Sequence, residues 1–185
     1  MNEKSLRYRI RKMQTIILIQ MSDFNPAVLE ALSGAVETAF KRPVEIRRRI
    51  SNLDYAWDPA REQYKSPRLL TRLKHFKRCE TDKSIGVVDV DLYSTGFDYI
   101  YGEADVAAGI CTLSLFRLHP EFFGEPRNES IFEERAVKEA VHELGHLFGL
   151  VHCRAKKCVM RFCPDPENVD EKTRYICARC TQKLR

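Results

Sequence analysis

The sequence predicts an α/β (α+β) fold in a single domain of residues 1–185. It divides into an upper lobe over about 1–149 and a small C-terminal lobe over about 150–185. Three observations carry this reading. Segments with strand and helix periods alternate through the first half of the chain. One long helical pattern runs from 131 to 149 and stops at a glycine. Beyond it the periodicity fades, and five of the seven cysteines fall in the last 33 residues.

The elements follow in chain order. "RKMQTIILIQM" is predicted to be a buried strand centred on Thr15 to Ile19. "NPAVLEALSGAVETAF" is predicted to be a helix with Pro26 in its first turn and Asn25 as its cap. "RPVEIRRRI" (42–50) alternates and predicts a strand with one exposed face, and the polar stretch after it predicts turns. "SPRLLTRLKHFKR" carries Leu69, Leu70, Leu73 and Phe76 at helical spacing. "IGVVDVDLY" (85–93) predicts a central strand, "DYIYGEADV" a strand and turn, and "GICTLSLFRL" (109–118) a further strand. On the long helix, Val137, Val141, Leu144 and Phe148 form one apolar stripe. A last helix is expected near Glu167 to Leu184.

Composition narrows the function classes. The chain is 44% apolar and 31% charged, ordinary for a globular protein, and its net charge of +5 is spread along the sequence. A scattered mild charge implies a solvated surface, so nucleic acid is not the expected partner. No run approaches the ~20 apolar residues of a membrane span. "TIILI" is too short for the apolar core of a secretion signal. A cytoplasmic monomer with reduced thiols is therefore expected, and clustered cysteines in that setting point to metal rather than disulfides.

The chemistry concentrates in "HELGHLFGLVH" (142–152), which holds three of the five histidines. At 100° per residue, His142 and His146 stand about 40° apart and one turn apart in height, so both imidazoles reach one ion. Glu143 is rotated about 100° from His142, too far to ligate alongside it but within reach of a water on the ion. His152 lies beyond a glycine. Gly149 can take positive φ, end the helix and turn the chain so that His152 returns as a third ligand. Three neutral imidazoles leave one corner of a tetrahedral Zn²⁺ open, the pattern of catalytic sites. With Glu143 as general base, the chemistry that fits is metal-assisted amide hydrolysis.

A second group of ligand types follows. Cys153-x4-Cys158 and Cys177-x2-Cys180 form two hooks able to hold a structural zinc. Cys158 and Cys163 are also separated by four residues, so spacing alone leaves two candidates for the first hook. His75 and His119 are read as surface residues, Cys79 and Cys111 as packed or idle thiols. Tyr175, between the hooks, is a candidate oxyanion stabiliser.

The run HExxHxxGxxH resembles the metzincin signature. The short distance to Met160, with "HCRAKKCVM" and "CARC", resembles the archaemetzincins in particular. The resemblance implies a metzincin-like zincin fold: a mixed twisted sheet with an active-site helix, then a zinc-stapled C-terminal lobe. It implies a zinc-dependent metallopeptidase with two Zn²⁺ per chain, one catalytic on His142, His146 and His152 and one structural on Cys153, Cys158, Cys177 and Cys180. Met160 would form the hydrophobic base of the catalytic site, and Cys163 stays unassigned. A peptide or protein is the implied substrate, and by analogy the strand Gly109 to Leu118 is the candidate edge for binding it. A two-zinc binding module for a partner or nucleic acid, with little hydrolysis, is the competing expectation.

Overall fold

Ile16, Ile17, Leu18 and Ile19 are all fully buried, which requires a strand covered on both faces. In the computed structural model, which describes residues 14–184, this strand is β1 (Ile16–Gln20). It pairs in parallel with β2 (Val44–Arg48) on one side and β5 (Lys83–Val88) on the other. β5 pairs in parallel with β8 (Ile110–Ser114), and β7 (Gly102–Asp105) closes the sheet antiparallel to β8, giving the order β2-β1-β5-β8-β7. A small second sheet joins β3 (Trp57–Asp58), β4 (Gln63–Lys65) and β6 (Leu92–Tyr93).

Helices cover both faces of the larger sheet. Ile16 and Leu18 share one core with α1 (Ala27–Phe40) and α3 (Glu129–Leu147). Ile17 and Ile19 share the other with Leu69, Leu70 and Leu73 of α2 (Ser66–Lys74). Asn25 Oδ1 accepts the Ala27 N–H (3.1 Å) at the start of α1, and Asn128 Oδ1 accepts the Ile131 N–H (3.1 Å) at the start of α3. Two short helices, α4 (Pro166–Glu171) and α5 (Ala178–Thr181), follow in the tail.

Three expectations need correction. The stretch 85–93 is two strands in different sheets, because residues 89–91 turn out of the sheet between β5 and β6. The last helix is broken: residues 172–177 leave helical geometry so that Lys172 reaches Glu139 and the Val159 N–H bonds the Tyr175 carbonyl (3.0 Å). The strand 109–118 is not an edge. β8 is paired on both sides, and the free edge belongs to β7. The basic residues Arg7, Arg9, Arg11 and Lys12 lie outside the described residues.

Candidate active site

α3 supplies the first two histidines. The expected stripe of Val137, Val141, Leu144 and Phe148 is buried, but burial does not stop there, since His142 is 5% exposed and Glu143 6%. The helix ends as its glycine requires. Gly149 has φ 85°, its N–H bonds the His146 carbonyl (3.0 Å), and the Leu150 N–H bonds the Gly145 carbonyl (3.0 Å), a Schellman pair. The turn brings His152 back, so that its ring centroid lies 5.3 Å from that of His142 and 5.0 Å from that of His146.

Backbone carbonyls orient two of the rings. His142 Nδ1 donates to the Val159 carbonyl and His146 Nδ1 to the Leu150 carbonyl, each at 2.9 Å. That assignment leaves both Nε2 atoms as lone-pair donors, and they face each other at 3.1 Å. Burial lowers the proton affinity of His142, His146 and His152 alike, which keeps the imidazoles neutral. Two nitrogens on one tetrahedral zinc, at bonds of about 2.0–2.1 Å, stand about 3.3 Å apart, so the pair fits the ion. One ligand atom from each of the three histidines lies within 4.8 Å of the others.

The space around the triad depends on two glycines. A Cβ on Gly145 would lie 2.4 Å from Met160 Sδ, so only glycine lets the fully buried Met160 seat against α3 beside His146. A Cβ on Gly102 would lie 2.5 Å from both Glu143 Cγ and the Thr112 carbonyl. Glycine there lets β7 approach the helix and hold Glu143. Burial pushes the Glu143 carboxyl well above its ordinary value, with Glu139 and Glu103 adding to the effect and Lys172 opposing it.

The tail places four sulfurs behind the triad. Cys153 Sγ is 4.0 Å from Cys177 Sγ, and Cys158 Sγ is 3.9 Å from Cys180 Sγ, close to the ~3.8 Å expected of two thiolates on one zinc. All four are free thiols. Burial raises Cys158 and Cys180. Cys153 is drawn down to about 6 despite burial, through the Ala155 N–H and the Arg179 guanidinium. Cys163 stands apart, donating to the Asn168 carbonyl (3.2 Å), so the structure groups Cys153 rather than Cys163 with the other three.

Other candidates separate clearly. His75 and Cys79 are exposed, and Cys111 is fully buried. His119 is half-buried instead of on the surface. It stacks on Phe132 at 4.0 Å with Nε2 3.3 Å from Asp89. Tyr175 is 66% exposed and does not line the cavity of about 530 Å³ beside the triad. Glu139, Lys172, Tyr101 and Phe162 escaped sequence reasoning. Glu139 lies three residues before His142 on α3 and could have been found by helical spacing; Lys172 carried no local signal. The two form a buried ion pair at 2.8 Å, with side chains 5% and 0% exposed. Lys172→Met should therefore cost about 3–5 kcal/mol of stability by stranding Glu139, measurable as a lower denaturation midpoint.

Known proteins resemble the chain in both sequence and structure. It is a zinc metallopeptidase, with an α/β scaffold shared by solved zinc peptidases. The zinc-dependent peptidase from Methanocorpusculum labreanum matches with a TM-score of 0.83 at 29% identity, over 92% of this chain and 100% of that one. The archaemetzincin from Methanopyrus kandleri matches with a TM-score of 0.79 at 29% identity, over 92% of each chain. The chain belongs to peptidase family M54, whose sequence model matches residues 7–185. It is 38% identical over 175 residues to an archaemetzincin of Pyrococcus furiosus, covering 91% of both. An archaemetzincin of Methanocaldococcus jannaschii is 36% identical over 169 residues, or 91% of this chain and 92% of that one. Among the described residues, no helix is long and apolar enough to cross a membrane.

Proposed function

We propose that the chain hydrolyses peptide bonds with His142, His146 and His152 holding a catalytic zinc and Glu143 as general base. Cys153, Cys158, Cys177 and Cys180 hold a second, structural zinc, and the two lobes act as one domain. The carrying observation is a difference in ligand number. Four sulfurs gather in one group, whereas the three imidazoles gather without a fourth His, Cys, Asp or Glu atom among the described residues. The latter is the catalytic pattern, and the cavity lies at its open side.

Zinc held there would polarise a peptide carbonyl and lower the pKa of a bound water to ~7. Glu143 would be held ionised beside such a cation, against the effect of burial. Glu143 then takes the proton as water attacks and delivers it to the leaving amine. β7 is paired on one side only, and Gly102 and Ala104 line the cavity, so an extended substrate can add to that edge beside Glu143. Met160 backs the triad, and Gly145 makes the room for it.

Metal analysis tests the reading. Purified protein should hold two zincs per chain. Mild chelation should remove the three-imidazole zinc first and abolish peptide cleavage, and added zinc should restore it. Cleavage by protein stripped of metal would overturn the mechanism.

A further inference from the structure

The cavity beside the triad is lined by acidic side chains in a basic chain. Its walls include the carboxylates Asp98, Glu103, Glu139 and Glu143, and among the described residues no lysine or arginine lines it, in a protein of net charge +5. The counter-charges that do exist stand outside. Lys172 pairs with Glu139 and is fully buried, Arg61 lies 3.9 Å from Asp98 at the exposed rim, and Arg117, paired with Asp91, lies 4.1 Å from the centre of the Tyr99 ring. Glu103 accepts a hydrogen bond from Ser94 Oγ at 2.9 Å with one oxygen, and its other oxygen is buried without a partner.

A second, independent feature points to a ligand. Tyr101 lines the same cavity and is only 6% exposed, yet its hydroxyl has no hydrogen-bond partner. The neighbouring Tyr99 turns its own hydroxyl to the Pro164 carbonyl at 2.5 Å. A buried hydroxyl left unpaired costs free energy unless something else completes it. The cavity walls are also aromatic: Tyr99 and Tyr101 meet edge to face at 5.6 Å, and Phe162 packs on His152. Such walls suit a long aliphatic stem ending in a cation.

We propose that the cavity is a charge-selecting subsite that takes a lysine or arginine side chain beside the scissile bond and refuses aspartate and glutamate, with the Tyr101 hydroxyl and the unpaired Glu103 oxygen on its walls. The inference rests on the peptidase reading and deepens it. A substrate cation there gives the Tyr101 hydroxyl and the unpaired acceptors a donor. A substrate carboxylate is set against the cavity carboxylates instead.

Matched peptides test this. One sequence is made with lysine, norleucine or glutamate at each position flanking the cleaved bond. Zinc-loaded enzyme should cleave the lysine peptide with a kcat/KM at least about tenfold above its norleucine twin, and leave the glutamate peptide uncut. Two variants locate the effect: Tyr101→Phe, which removes only the hydroxyl, and Glu103→Gln, which removes the charge of a cavity carboxylate with an unpaired oxygen. In each, the lysine-to-norleucine ratio should fall toward one. That ratio is internal to each protein, so a partly folded fraction does not move it. A wild-type ratio near one, or a ratio unchanged in both variants, overturns the proposal. No cleavage of any peptide would count against the peptidase mechanism instead. Charge selection is then read from fluorescence-anisotropy binding of uncleavable reduced-amide versions, where equal binding of the lysine and norleucine forms refutes it.

Discussion

Replacing Glu143 with alanine is expected to lower peptide cleavage by about 10²- to 10⁴-fold while both zincs stay bound. The side chain is buried between α3 and β7 at the cavity beside the triad, and among the described residues no hydrogen bond or ion pair gives it a structural partner. Its removal therefore takes away a proton acceptor rather than a brace. It also leaves space under Gly102, so stability should be measured beside activity. Glu143→Gln keeps the volume and lacks the basic oxygen, and it should fail equally. Undiminished turnover in either variant, with zinc content intact, would exclude Glu143 as the base.

The second large effect is expected at the tail. Cys177→Ser with Cys180→Ser should reduce the metal content from two zincs to one and loosen residues 153–184. Metal binding of this kind is worth about 10–16 kcal/mol in small zinc-bound peptides, comparable with the whole stability of an ordinary domain. The tail's own secondary structure adds little, since α4 and α5 are six and four residues long. The loss should also reach the catalytic group, because Cys153 follows His152 directly and its N–H bonds the Met160 carbonyl at 2.8 Å. Weakened retention of the remaining zinc, and faster proteolysis after Gly149, would be the signs. Catalytic-zinc occupancy equal to that of the wild type would show the two groups to be independent.

Much of the candidate site is legible from spacing. His142 and His146 share a helix face because of the helical repeat, and Gly149 ends the helix because only glycine enters that region of φ without strain. The central strands were legible because a strand buried on both faces reads as an unbroken apolar run, as "IILI" does. The last helix was misread because residues 172–177 have their partners elsewhere: Lys172 on α3 and Tyr175 against Val159. The edge was misassigned because the sequences of β7 and β8 do not say which has a free side.

By itself, the sequence determined what local geometry determines: the class of fold, the two imidazoles one turn apart, the turn that returns the third, and the two cysteine hooks. Tertiary structure alone decided which strand lies open beside the cavity and that Lys172 pairs with Glu139. It also decided that Tyr101 keeps a buried hydroxyl unpaired. The reason is physical. Helical repeat and glycine torsion act over a few residues and leave a periodic trace, whereas burial and charge pairing join segments distant in the chain and leave none.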